Sequence, residues 1–365
     1  MMHTKKDGFV IPLTLMLIAI AMVIITAMYR SGSLFVPFSA TMIKREQAKL
    51  LALSGIQVGM AQLASFGEVP EKKEGAAATM LRTGFASAGD SAPKQFLSEL
   101  LPVLNQWQQF KLTKSTDGVD GEISIAIASE AGKINLNAIY DFAKRKFRGE
   151  NEPRGDWKKI MQTLMARVQK KMGGTQNMFG TFENFMKGRQ HKLNDATELI
   201  TLDAFGAFAG KEFYRHPPTA EEVKQDLSLY LLDLFTVYGR GPTIQPWLLS
   251  DSMRDVLDMK RSGATDIKQR KTMVQSWMKN FKPTIRGAQE WNKIFQPVYG
   301  IEFQRLLKGI DAVFESSFDP TLFSVVSYGI IGGVMQRAYA IVERFKRVEK
   351  KKTWYDVKIK KFYWI

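Results

Sequence analysis

The chain is 365 residues long, 45% hydrophobic and 24% charged, with 52 Lys and Arg against 36 Asp and Glu, a formal net charge of +16. The absence of cysteine excludes a disulfide framework, a thiolate metal site and a cysteine nucleophile. Three histidines, and no G-x-S-x-G, H-E-x-x-H or phosphate-cradling glycine loop between a strand and a helix, leave no material for an evident catalytic centre, so the reading is not an enzyme.

A basic leader, Met1 to Gly8 with Lys5 and Lys6, runs into an uncharged stretch from Phe9 to Tyr29. As a helix this stretch would be about 31 Å long, matching a hydrocarbon core of about 30 Å. Eleven of its residues are Leu, Ile, Val or Phe, which favours insertion by about 3 to 7 kcal/mol. A secretory signal cut near Ser31-Gly32-Ser33, or an ordinary signal anchor, is one reading, but the apolar region exceeds the usual signal length of about 7 to 15 residues. The Gly8-Phe9 junction resembles a type IV prepilin leader instead. That resemblance implies cleavage after Gly8 by a prepilin peptidase on the cytoplasmic side, N-methylation of Phe9 and retention of 9–29 as a transmembrane helix. Charge alone does not set orientation, since Arg30, Lys44 and Arg45 balance the leader lysines.

Beyond the span, Ser31-Gly32 and Pro37 are expected to interrupt the helix and bend the chain. From Thr41 to Ser65 the spacing of Leu53, Ile56, Met60 and Leu63 predicts a helix whose stripe packs on a sheet. Residues 66–93 are rich in Gly, Ala, Ser, Glu and Lys and read as a surface loop, followed by a short helix from Pro93 to about Val103. Trp107–Thr113 and Glu122–Ala128 read as a hairpin across 115–121. Ile123, Ile125 and Ile127 alternate there with Glu122, Ser124 and Ala126, which predicts one buried face. Asp117, Asp120 and Glu122 offer hard oxygen ligands to calcium, and an Asp-Gly turn accounts for them equally well; Glu130 reads as a structural acid.

From Asn137 to about Ile310 the periods are helical. Trp157, Ile160, Leu164 and Val168 form one stripe; Val223, Leu227, Tyr230, Leu231 and Leu234 form another, behind a Thr219/Glu222 capping box. Leu322–Tyr328, Gly333–Phe345 and Trp354–Trp364 read as antiparallel strands, the last two joined across 348–353, and the apolar patch Ile330–Met335 as part of a buried strand. Basic residues gather between Arg344 and Lys361, where anionic lipid or an acidic partner would serve as well as nucleic acid, which is not favoured.

Four blocks carry a resemblance to one family, the type II secretion minor pseudopilin K, or general secretion pathway protein K. They are Gly8-Phe9 with its apolar helix; Ala48-Lys49-Leu50-Leu51-Ala52-Leu53-Ser54-Gly55-Ile56, similar to "ARALAEAGI"; Ser129-Glu130-Ala131-Gly132-Lys133-Ile134-Asn135-Leu136-Asn137, similar to "DEAGKINLN"; and Phe235-Thr236-Val237-Tyr238-Gly239, close to "VTVYG". Gly132 would permit the tight bend leaving the strand, and Asn135 and Asn137 would tie the departing backbone to the next domain. Two departures stand out. Ile244-Gln245-Pro246-Trp247-Leu248-Leu249 replaces the family's "INVNTAP", so a second asparagine pair is missing, and Leu13 stands where major pilins carry a buried glutamate. Protein K typically lacks that glutamate too, which suits a subunit with none above it.

The resemblance implies an α+β fold: an N-terminal transmembrane helix, a pilin-like α/β domain with an antiparallel sheet, and an inserted all-α domain. The expected organisation is leader 1–8, transmembrane helix 9–29, pilin-like domain 30–136 and 313–365, and insert 137–312. It implies a single-pass bacterial inner-membrane protein with a periplasmic C-terminal part, which helps start a pseudopilus at its tip for export of folded proteins. Expected partners are minor pseudopilins I and J, other pseudopilins, the prepilin peptidase and secreted cargo. Motif positions Gly132, Lys133, Asn135, Asn137, Tyr238 and Gly239 are expected to be structural; calcium is the one cofactor considered. The alternatives are a minor pilin of a type IV pilus or DNA-uptake filament and a plain membrane-tethered binding protein.

Overall fold

The computed structural model of the chain describes residues 10–66, 91–152, 155–210, 213–217, 229–239, 241–259, 267–279, 287–306, 309–315, 320–349 and 352–365. Of these, 10–13, 31–37, 91–92, 267, 269, 287–288, 294, 311, 349 and 352–353 are described by backbone alone.

The first element, α1, is one helix from Val10–Ser65, 56 residues and about 84 Å long at 1.5 Å per residue. It runs through Gly32 and Pro37 without a break, contrary to the expected interruption. A proline removes one donor and one i→i−4 bond, and a helix already propagating on both sides tolerates that loss.

The C-terminal half of α1 lies on a five-stranded sheet of order β1-β2-β7-β8-β9, every neighbouring pair antiparallel. Its strands are β1 (Trp107–Leu112), β2 (Gly121–Ser129), β7 (Leu322–Ile331), β8 (Val334–Glu349) and β9 (Lys352–Trp364). The contact face of α1 is made of small residues more than of the leucine stripe. Ala48, Ala52, Gly55, Ile56, Gly59 and Leu63 are buried, while Leu53 is only half-buried. A Cβ on Gly55 would fall 2.1 Å from Ser327 Oγ, and one on Gly59 2.7 Å from a Val325 methyl. On the sheet side, a Cβ on Gly329 would meet the Ala48 carbonyl oxygen at 2.2 Å. Glycines on both surfaces therefore let the helix backbone settle onto the strands. The helix ends under Arg344 of β8, buried, which donates to the carbonyls of Leu63 (2.8 Å) and Phe66 and lies over the Tyr355 and Phe96 rings.

The expected hairpin is β1–β2, with a one-turn helix, α3 (Lys114–Asp117), in its connection; α2 (Ser91–Leu100) precedes it. β2 is buried on both faces from Ile123 to Ser129, not on one. Ile123 and Ile125 face Gly55 of α1, and the opposite face is covered by segment 213–216, where Tyr328 Oη donates to the Arg215 carbonyl at 3.4 Å and the Tyr214 ring lies 5.7 Å from that of Tyr339. A second layer on the far side removes the alternation a half-exposed strand would show. The Ile330–Met335 patch is a hairpin tip instead of a strand interior: Ile331 pairs with Val334, Gly332 and Gly333 both have positive φ, and Met335 is exposed. That two-residue turn needs φ > 0 twice, which two glycines supply.

Between β2 and β7 lies the insert. Its helices α5 (Trp157–Lys171), α6 (Met178–Gly188), α8 (Asp251–Val256), α9 (Ile267–Met278) and α10 (Gly287–Tyr299) alternate with 3₁₀ turns, and two one-turn helices, α4 (Leu136–Ile139) and α7 (Leu231–Leu234), lie at the motif blocks 129–137 and 235–239. The Trp157, Ile160, Leu164, Val168 stripe of α5 is buried as expected. Of the second expected helix, Val223, Leu227 and the Thr219/Glu222 box lie outside the described residues; Tyr230 is extended, so α7 starts only at Leu231. The insert is not all-α: β3 (Ile134–Asn135) pairs in parallel with β6 (Phe235–Thr236), and β4 (Tyr140–Asp141) with β5 (Lys146–Phe147) antiparallel. One apolar cluster runs without a gap from α1 through the sheet into the insert.

Candidate functional site: the junction between sheet and insert

The two internal motif blocks, 129–137 and 235–239, about a hundred residues apart in sequence, meet where β2 hands the chain to the insert. Ser129 ends the strand and accepts the Ala131 N–H at 3.3 Å, turning the backbone into a 3₁₀ turn, Glu130–Gly132. Glu130 and Lys133 form an ion pair with side chains 2% and 1% exposed. The other Glu130 oxygen accepts the Thr236 hydroxyl of β6, and Lys133 Nζ donates to Ser324 Oγ of β7 at 3.0 Å. Two charges removed from water are tolerated only where further hydrogen bonds complete their shells. Here those bonds fasten the turn to both neighbouring strands.

Asn135 Oδ1 accepts the Asn137 N–H at 3.2 Å and so caps α4. Asn137 reaches across the insert to Leu193, its amide donating to that carbonyl and its oxygen accepting that N–H, both at 2.8 Å. The side-chain amide thus acts as a strand would. The expected tie between the departing backbone and the insert is this pair of bonds.

Gly132 has a different reason from the expected bend. Its φ is not positive, but a Cβ there would fall 1.8 Å from the Leu248 carbonyl oxygen. The segment 244–249 crosses directly over it, with the Gln245 N–H donating to Ala131 O at 2.7 Å. Where the asparagine pair is missing, main chain holds the segment: Ile244 N–H donates to Val313 O and Glu315 N–H to Ile244 O, both at 2.9 Å. Gly239 has φ +139°, where a side chain would be strained.

Tyr238 takes the sequence-marked residues out to the last strand. Its hydroxyl lies 3.1 Å from that of Tyr363 on β9, and both donate to Asp195 Oδ2 of the insert, Tyr238 at 3.4 Å. Burial pushes both phenols above their usual range, so they remain neutral donors. A cleft of about 220 Å³ opens beside this network, lined by Asn135, Tyr238, Thr243, Gln245, Glu315 and Thr321 among others.

All six marked positions, Gly132, Lys133, Asn135, Asn137, Tyr238 and Gly239, therefore gather at one junction. Ser324 lies in Phe323-Ser324-Val325, a stretch that also carries the resemblance, while sequence reading missed Asp195, Leu193 and Tyr363, which lie in other segments and carry no local signal. The three carboxylates weighed for calcium serve the β1–β2 connection. Asp117 Oδ2 accepts from Thr113 N (2.9 Å) and Thr116 Oγ1 (2.6 Å), bonds that hold its carboxyl below the usual range, the Thr116 hydroxyl most of all. Asp120 Oδ1 accepts from Lys114 N at 2.7 Å, and Glu122 from Ser124 Oγ at 3.0 Å. Among the described residues no three acidic or histidine groups converge as a cation would require.

Gly8 and Phe9 lie outside the described residues. Along α1, the apolar side chains between Leu15 and Tyr29 project outward; Val23 and Met28 are 69% and 70% exposed. Among the described residues no helix is long and apolar enough to cross a membrane.

No family model matches the sequence, and no curated protein does. Among solved structures the chain is similar to the crystal structure of the GspK-GspI-GspJ complex from the type 2 secretion system of enterotoxigenic Escherichia coli. The TM-score is 0.43 and the identity 11%, over 89% of this chain and 98% of that one.

Proposed function

We propose that this chain is a minor pseudopilin of a type II secretion system, a structural assembly subunit and not an enzyme. The observation that carries the reading is α1. One continuous helix is built into an antiparallel sheet by small residues along its second half, while its first half holds outward an apolar surface. Apolar side chains on that scale are stable only in a bilayer or among other such helices. The Gly8-Phe9 junction and the two motif blocks that meet at the sheet–insert junction support the same reading by resemblance.

In this proposal the prepilin peptidase cuts after Gly8, Phe9 becomes the methylated N-terminus, and 9–29 holds the subunit in the inner membrane until it enters the filament. The sheet and insert lie in the periplasm. The insert leaves the sheet at the end where α1 finishes, beside Leu63 and the Ser129↔Phe323 pair. A bulky domain there suits the tip, above which no further subunit packs; Leu13, in place of the acid that would pair with a neighbour's N-terminus, agrees. Minor pseudopilins I and J would be its partners, and cargo would meet the exposed insert.

The test is co-expression of the full chain with two minor pilin-like subunits of one secretion system, followed by native mass spectrometry. A stable three-protein complex is expected. Failure to associate, together with DNA binding that weakens steeply with salt, would move the chain to a DNA-uptake filament; failure of both would leave a plain tethered protein.

A further inference from the structure

The β4–β5 hairpin of the insert concentrates positive charge on a rigid tip. Its strands are in register Tyr140↔Phe147 and Asp141↔Lys146. The inner side is aromatic: the Tyr140 ring meets those of Phe142 and Phe147 edge-on at 5.1 and 5.2 Å, and Phe147 continues to Phe179 and Phe182 of α6. Asp141 Oδ1 fixes the turn by accepting the N–H groups of Ala143 (3.1 Å) and Lys144 (3.0 Å), and Arg145 sits at φ +52°. On the outer side Lys144, Arg145, Lys146 and Arg148 are all exposed.

Exposed bases such as Lys111, Lys114 and Lys361 also make no ion pair among the described residues, but these four lie within five consecutive residues of one anchored turn, beside bases that are paired. Lys158 pairs with Glu150 and Glu183, Lys187 with Glu183, and Arg189 with Glu198. On the C-terminal strands, where the sequence places the densest positive run, Lys358 and Lys360 share Glu343, and Arg347 pairs with Asp356. Among the described residues none of the four hairpin cations makes an ion pair within 4.0 Å. Asp141 is committed to the turn, and Glu150 to Lys158. Four cations are held close together on a backbone anchored by an aromatic cluster, with Asp141 the one acid of residues 140–148 among them, so the tip keeps a positive excess that favours a further anion.

We propose that the 140–148 hairpin is a docking surface for an acidic protein segment, one presenting several carboxylates within a short stretch. Carboxylates suit it: Arg145 and Arg148 can each hold one through two parallel bonds, and a preformed tip loses little entropy on binding. Nucleic acid fits less well, because the charge is confined to a tip instead of following a groove and Phe142 is half-buried against Tyr140, leaving no free ring for base stacking. A membrane surface fits less well because no large apolar side chain is exposed on the hairpin to enter the headgroup layer.

The test uses the full chain in non-ionic detergent, a fluorescent twelve-residue Asp/Glu peptide, a single-stranded oligonucleotide of equal charge, and vesicles of anionic lipid. The variant K144E/K146E/R148E is compared with K114E/K268E/K361E, which makes the same change in net charge at other exposed positions, and with the neutral K144Q/K146Q/R148Q. Peptide affinity is expected to fall about tenfold or more in both hairpin variants and to stay within about twofold in the control. Equal losses in hairpin and control variants, tighter binding of the oligonucleotide or vesicles than of the peptide, or no peptide binding by the parent chain would overturn the proposal.

Discussion

Lys133 holds its charge almost out of contact with water because Glu130 and Ser324 meet it there. Removing one partner of a buried pair leaves the other uncompensated, at a cost of about 3 to 5 kcal/mol. Lys133→Met is therefore expected to destabilise the fold by that amount in urea titrations, and E130Q/K133M to recover part of it; a Lys133→Met loss below about 1 kcal/mol would contradict the buried pair. Gly132→Ala is expected to lose about 1 to 3 kcal/mol, since the new methyl must push the Leu248 backbone away. A neutral result in the same titration would show that segment 244–249 does not press on Gly132. At this scale the motif residues were legible in the sequence, but the reason for Gly132 was not. A glycine required by a segment crossing over it, more than a hundred residues away, looks in sequence the same as one required by a bend. Thr236 could be read because it lies in a motif; Asp195 and Tyr363 could not, because their roles exist only once three distant segments meet.

Among the elements, the strands of the sheet and the helix α5 were read well because each rests on local periodicity. Errors arose where tertiary packing decides. β2 looks one-sided in sequence but is covered by Tyr214 and Arg215 on its second face, and Pro37 does not stop a helix extended on both sides. The helices of the insert also set its response to acid. Asp156 caps α5 through the N–H groups of Lys158 (3.1 Å) and Lys159 (3.2 Å), and Glu183 of α6 receives Lys158 (2.9 Å) and Lys187 (2.8 Å). Burial raises each carboxyl, but these hydrogen bonds and charges outweigh it and hold both below their usual values. Groups depressed in the folded state contribute stability above the ordinary carboxylate range and lose it as pH falls through their lower folded values. The denaturation midpoint is therefore expected to stay level from pH 8 to about 5 and to fall below about pH 4. A fall centred between pH 5 and 7 would mean that some other titration governs the insert.

For the whole molecule, the sheet, α1 and the insert share one core, so the insert is held against the rest of the subunit by apolar packing as well as by the Asp195, Tyr238 and Tyr363 contact. In the proposed role such a body would stand at the end of the filament, with the apolar half of α1 at the end opposite the insert. The α+β plan, a helix on an antiparallel sheet with a largely helical insert, was legible because strand alternation and helical spacing each carry a period. The small strand pairs of the insert were not, since two-residue strands leave no period to read. The proposed role depends first on how the N-terminus is processed. The most direct measurement is intact mass and N-terminal sequencing of the full chain extracted from membranes of cells with and without a prepilin peptidase. The expected result is a chain beginning at Phe9, heavier by one methyl group, only when the peptidase is present, and no cleavage when Gly8 is replaced by a bulky residue. A start at Met1 under both conditions, or a cut beyond residue 30, would contradict it.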